Sequence, residues 1–319
     1  MGGSVKDLEN RIGETAKLRR PQFASLPPGL SKIVVAILGA SLLVASAPRA
    51  QAQDYEADAA VTACANSIAT CGCTITKPGF YQVLANLQSS QGLTAKNGCI
   101  DIKASKVVLN FGMPPPPHQR SNGFKVTGPG GVTPTGIGIH ILKGSTGDFL
   151  ELNEVDGWDV GILVEGSNNI VEDFGARFNG TAAVEINGGK NNNINDFSAV
   201  NNLNFGVWLR GASNNQVNCS DTNDNGNIGV YIGCSVTGLI NAKCKPSVPA
   251  SNSNRIYDHT SASNSKYGVV IDLGNTKNHV SDVNSSGNTT MDMVDANASC
   301  DNDLWFFNQF DTASQSCIN

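Results

Sequence analysis

The sequence predicts an all-β fold, a parallel solenoid with about 23 residues per coil, and three phased series of residues predict it. A short apolar strand recurs as GILVE at Gly161, AVEIN at Ala183, GVWLR at Gly206, GVYIG at Gly229 and GVVID at Gly268. Asparagine stands two residues before an apolar residue at Asn169, Asn192, Asn215, Asn254, Asn278 and Asn302. A third series runs through Asn179, Asn202, Asn225 and Asn264. The second series first advances in steps of 23, 23, 39 and 24, so one coil carries an insertion of about 16 residues.

Each repeat holds two or three short stretches of alternating apolar and polar residues separated by Asn, Gly and Ser, which is strand patterning. No stretch offers a sustained 3.6-residue period. The leucine spacing of leucine-rich repeats is absent, and a propeller blade needs roughly 40 residues or more. Three strands and three turns per coil fit a parallel β-helix, with successive coils about 4.8 Å apart. The asparagines are expected both to take left-handed turn conformations and to hydrogen-bond up and down each column.

The N-x-apolar columns and G-V-x-I strands resemble the right-handed parallel β-helix repeats of the pectate-lyase-like superfamily, over roughly Asp101 to Phe310. The resemblance implies the right-handed fold. It does not imply one activity, because that superfamily includes lyases, hydrolases, epimerases, adhesins and proteins without known chemistry. The W-I-D-H and R-x-P-x-x-R motifs of its pectate lyases are absent. So is the N-T-D, D-D, G-H-G, R-I-K series of its polygalacturonases, whose closest fragments are Asp221-Thr-Asn-Asp224 and Arg255-Ile256-Tyr257. No catalytic residue therefore carries over.

Residues 1–52 read as a leader. Ile33 to Ala47 is a 15-residue apolar run preceded by Lys17, Arg19, Arg20 and Lys32, and Ala50-Gln51-Ala52 is a cleavage pattern, so a secretory signal peptide ending before Gln53 is expected. The run is too short to favour a membrane span. The leader holds 7 of the 22 basic and 3 of the 27 acidic residues, leaving 15 against 24 and a formal net charge of −9. That charge argues against a nucleic-acid partner. All nine cysteines follow the cleavage site, as in a secreted or periplasmic protein. Cys64, Cys71, Cys73 and Cys99 are expected to staple the start of the coil, Cys234 and Cys244 to bracket the inserted loop, and Cys300 and Cys317 to tie the tail, with Cys219 left over.

Residues 53–98 are expected to form an N-terminal cap and disulfide region, in which Tyr81 to Leu87 reads as strand or short helix. The parallel β-helix is expected over 99–310 and a C-terminal tail over 311–319. Met113 to Asn122 and Cys234 to Ser251 read as loops thrown out from turns. Trp305, Phe306, Phe307 and Phe310 read as a cluster that caps the far end of the core.

Strand alternation sorts each G-V-x-I strand into inward and outward residues. One outward column is expected to run His140, Leu163, Glu185, Trp208, Tyr231, Val270, Asp292, and its neighbour Leu142, Glu165, Asn187, Arg210, Gly233, Asp272. Such a face suits an extended glycan: aromatic rings stack on sugars, while carboxylates and Arg meet hydroxyls. The candidate catalytic residues are Glu165, Glu185, His140 and Arg210. Glycoside hydrolysis would take two carboxyls roughly 5 to 9.5 Å apart, either Glu165 with Glu185 or Asp272 with Asp292. A lyase or epimerase would take a base and a carboxylate neutraliser from His140, Tyr231 and Arg210. Trp208, Tyr231, Asp272 and Asp292 are the candidate ligand contacts. No zinc set, phosphate loop or G-x-S-x-G elbow is present. No cofactor is assigned, although calcium at the acidic turns Asp221, Asp224 and Asp258 stays open.

The expected function is a secreted, carbohydrate-recognising β-helix that acts on a polysaccharide or only grips it. The alternative is a structural or protein-binding solenoid.

Overall fold

The computed structural model describes residues 62–89, 97–112, 123–241 and 244–319. The expected leader, with its cleavage site, and the Met113 to Asn122 loop lie outside them. Among the described residues the chain winds into a right-handed parallel β-helix whose strands form two long, wholly parallel sheets. Ten strands build the first sheet. Its central members are Ile137–Ile141, Val160–Val164, Ala182–Asn187, Phe205–Arg210, Ile228–Ile232 and Tyr267–Ile271. Fourteen build the second, centred on Ile170–Arg177, Asn193–Val200, Gln216–Asp221, Arg255–Thr260 and His279–Ser285. Tyr81 to Leu87 resolves as strand rather than helix, within Gly79–Val83 and Leu87–Gln88. Cys73–Ile75 pairs with Gly98–Ile102, so residues before Cys99 already supply strands to the first sheet.

The alternation seen in the sequence becomes the core. Ile139, Ile162, Val184, Val207, Val230 and Val269 stack in one inward column, and Ile141, Val164, Ile186, Leu209, Ile232 and Ile271 in the next. Facing them, the second sheet contributes Leu150, Val171, Ile194, Val217, Ile256 and Val280. Phe174 and Phe197 stack with ring centroids 5.0 Å apart. Their column then turns polar at Ser220 and His259. Hydroxyls of Ser220 and Thr222 lie 2.7 and 2.9 Å from the two His259 nitrogens, and burial pulls its pKa down to about 3. The ring is neutral and serves the core. The glycine that opens each G-V-x-I strand is explained by contact: a Cβ at Gly161 would lie 2.6 Å from the Ala183 carbonyl oxygen, and one at Gly206 would lie 2.6 Å from that of Gly229.

The asparagine columns are ladders, with one correction. Backbone N–H groups of Asn169, Asn192, Asn215 and Asn254 donate to the Oδ1 of the next asparagine along the axis at 2.9 to 3.1 Å. From Asn192 on, each Nδ2 donates to a carbonyl of the preceding coil at 3.0 or 3.2 Å. The ladder ends on Asp303, not Asn302, because Asn278 N donates to Asp303 Oδ1 at 2.7 Å. Trp305, not Leu304, accordingly pairs with Val280 and enters the core. The left-handed turn residue is not the ladder asparagine but the residue before it: Asn168, Asn191, Asn214, Ser253 and Lys277 all have φ between 59 and 62° or near it, at 55 and 58°. The series at Asn179 behaves alike and extends to Asn288.

Four disulfides close the expected regions: Cys64–Cys73 and Cys71–Cys99 at the first coils, Cys234–Cys244 in the inserted loop, and Cys300–Cys317 at the tail. Cys219 is free and exposed. Of the terminal aromatic cluster, Trp305 is buried while Phe307 is exposed. No helix among the described residues is long and apolar enough to cross a membrane.

Candidate functional site

Along the first sheet, backbone register aligns Asp101, His140, Leu163, Glu185, Trp208, Tyr231 and Val270 on successive strands. The expected column is therefore real, with Asp101 added at its head. At its foot Val294, not Asp292, pairs with Val270, a two-residue difference in register.

The expectation of an open, wet face is overturned. His140, Glu185, Trp208, Tyr231, Asp272 and Asp292 are all buried. Trp208 and Tyr231 pack with Phe205, Ile228 and Val270 in a second apolar cluster, joined by Ile240 from the inserted loop. Trp208 donates from Nε1 to the Gly233 carbonyl at 2.7 Å. Tyr231 donates its hydroxyl to Asp272 Oδ2 at 2.7 Å, while Asp272 Oδ1 accepts from the backbone of Asn241 at 2.6 Å. This pair anchors the inserted loop, so neither residue is a ligand contact. Asp292 Oδ2 accepts from the backbone of Asp311 and Thr312 and from the Thr312 hydroxyl, at 2.9 to 3.1 Å. Burial pushes its pKa up, but those bonds and others from Asn288 outweigh it and hold the carboxylate below its ordinary value. Asp292 thus clamps the tail, and Asp272 with Asp292 is not a catalytic pair. The inward-outward rule missed this because it specifies which way a side chain leaves the sheet, not what loops later cover it.

The remaining candidates form one chain of ionisable groups. His140 Nε2 lies 2.9 Å from Glu165 Oε2, and Nδ1 lies 3.4 Å from Asp101 Oδ1. Burial pulls the His140 pKa down, yet the two carboxylates more than offset this and leave it above the usual histidine value. Glu165 follows the strand Val160–Val164, and Glu185 sits on the strand paired with it, with Arg210 Nη1 at 3.7 Å from Glu185 Oε1. Burial raises the Glu185 pKa to about 7; Arg210 opposes the rise and the charges of Asp159 and Glu165 add to it. The Arg210 guanidinium is centred 5.2 Å from the Trp208 ring, which gives Trp208 an orienting role through a cation–π contact. Arg210 Nε and Nη1 are buried and, beyond the ion pair of Nη1 with Glu185, make no hydrogen bond.

Sequence reasoning overlooked Asp101 and Asp159. Asp101 could have been found by aligning C-I-D-I at Cys99 with the later G-V-x-I strands, Cys99 standing where they have glycine. Asp159 lies in a turn before Val160–Val164, where its Oδ1 accepts from the Thr181 hydroxyl at 2.8 Å, and no periodic signal marks it. No cluster of metal-ligating side chains was found among the described residues, so the calcium expectation gains no site there.

The fold is that of a parallel β-helix. Among solved structures, the chain is similar to the Dettilon tailspike protein at 13% identity and TM-score 0.46, covering 76% of this chain and 54% of that one. It is also similar to a double mutant of the periplasmic alginate epimerase AlgG, at 14% identity and TM-score 0.41, covering 76% and 70%. Pectate lyase Pel9A follows at 16% identity and TM-score 0.33, covering 78% and 71%. The chain thus spans about half the length of the tailspike. No protein-family model and no curated protein matches it.

Proposed function

We propose that the protein is a carbohydrate-recognising β-helix of a secreted or periplasmic compartment, and that it takes a polysaccharide at the Glu165–Glu185–Arg210 end of the ionisable row. The observation that carries this reading is Arg210. Its Nε is buried without a hydrogen bond and its Nη1 meets only Glu185, at 3.7 Å, a shortfall that costs about 1 to 3 kcal/mol, and such a cost beside a carboxyl shifted to about 7 is characteristic of sites that bind or react. Sugar hydroxyls or a uronate carboxylate would meet those donors. Four disulfides agree with an oxidising compartment.

The same row supplies what acid–base chemistry on a bound chain requires. Burial raises the Glu185 pKa to about 7, which suits a general acid. His140, held between Asp101 and Glu165, suits proton exchange with them. A hydrolase, lyase or epimerase reaction could use such a pair. A second reading, a structural or protein-binding solenoid, is favoured by the packing and clamping duties of Trp208, Tyr231, Asp272 and Asp292.

Carbon-13 NMR of the Glu185 carboxyl tests the site. The expected titration midpoint is about 7, moved by a polysaccharide that binds and left unmoved by those that do not. A midpoint near the ordinary glutamate value, about 4.3, and indifferent to every polysaccharide would remove the basis for the reading.

A further inference from the structure

The outer face of the second sheet carries a cationic groove that the row on the first sheet does not involve. Gln216, Arg255 and His279 stand in register on three successive strands. The turns just before those strands add Asn214, Ser253 and Lys277, each in the left-handed conformation. With Leu304 these residues line a groove of about 470 Å³. Arg255 and Lys277 are exposed, and among the described residues no carboxylate lies within ion-pair distance of either. His279 packs on Phe306 with ring centroids 4.5 Å apart, and its Nε2 is buried without a hydrogen-bond partner.

Three observations select the ligand. The cationic groups gather where the described chain is otherwise acidic, so the groove is locally inverted in charge and attracts anions. Its size lies in the range of small-molecule sites, roughly 300 to 1,000 Å³, far more than one inorganic oxyanion fills. Amides of Gln216 and Asn214 offer both donors and acceptors, as hydroxyl-rich ligands require.

We propose that this groove binds an acidic oligosaccharide, with a carboxylate or sulfate group between Arg255 and Lys277 and hydroxyls against Gln216 and Asn214. Arg255 suits the anionic group because its planar fork can donate two parallel hydrogen bonds. The site lies on a different wall from Glu185 and stands independently of the reading given to that residue.

Calorimetric titration of the protein with a hexuronic-acid trisaccharide tests the proposal, beside a neutral hexose trisaccharide and inorganic sulfate. The acidic trisaccharide is expected to bind one site and the neutral one not to bind. Arg255→Ala with Lys277→Ala, both at exposed positions, should weaken binding by about tenfold or more, since each lost charged hydrogen bond is a large fraction of such an affinity. The melting temperature should stay unchanged, and Arg177→Ala, which removes an exposed cation elsewhere on the same sheet, should bind as the parent does. The proposal is overturned by no binding of the acidic trisaccharide, or by undiminished binding to the double variant. It is equally overturned if sulfate binds as tightly as the trisaccharide, which would make the groove a simple oxyanion site, or if Arg177→Ala weakens binding as much as the double variant does, which would make the loss one of overall charge.

Discussion

At the scale of single residues, the same side-chain types do different work according to what covers them. Trp208 stands on an outward position by strand parity, yet it is buried and joined to Phe205, Tyr231 and Arg210. Trp208→Ala should therefore cost about 3 to 5 kcal/mol, the usual range for emptying a packed aromatic site, read by chemical denaturation. A change within experimental error would return Trp208 to the surface. Asp173 makes a second case. Burial first, then a hydrogen bond and charge repulsion from Asp196, raise its pKa to about 6. A folded-state value above the unfolded one means that the folded chain holds the proton more tightly. The contribution is complete below about pH 4, the unfolded value, and is lost as pH rises through 6. Asp173→Asn keeps a donor and tolerates the left-handed backbone at φ 58°. It should raise the melting temperature at pH 8 and leave it unchanged near pH 4; equal effects at both values would show that the Asp173 pKa is not raised in the folded chain.

At the scale of the element, the repeat works by dividing labour between neighbouring residues. The sequence shows asparagine columns but not which member of each turn is strained. In the structure the residue ahead of each ladder asparagine takes the left-handed conformation, even as Phe178 at φ 57° or Lys277 at φ 62°. Such a residue costs roughly 1 to 2 kcal/mol, and the ladder bonds that follow help to offset it. Asn215 is the sharpest test, because its Oδ1 accepts from the backbone and the side chain of Asn192 while its Nδ2 reaches Gly189 and Asn254. Asn215→Ala should cost about 1 to 3 kcal/mol for the buried groups left unpaired. Hydrogen exchange should quicken at the amide of Asn192, whose acceptor is lost. Unaltered exchange there would contradict the ladder.

At the scale of the whole molecule, the repeating part of the architecture was legible and the covered part was not. Five recurring apolar strands and two asparagine series set the coil length, the stacking and the inward columns, because each coil repeats the same contacts as its neighbour. Three departures share one physical origin: they lie where repetition stops. The ladder shifts from Asn302 to Asp303, and Asp292 leaves the column for the tail, both at the last coils. The inserted loop, fixed by Cys234–Cys244 and by Tyr231 with Asp272, turns a face expected to bind ligand into a packed one. What remains of the expected site is Glu165, Glu185, His140 and Arg210, now joined by Asp101 and Asp159. The measurement that addresses the central claim most directly is retention of the protein on a panel of immobilised polysaccharides, with release of new reducing or unsaturated ends followed in parallel. Retention on at least one polysaccharide, lowered about tenfold or more by Arg210→Ala at unchanged melting temperature, is the predicted result. No retention on any polysaccharide, or equal retention by the variant, would contradict the assignment of the Glu185–Arg210 site to glycan recognition.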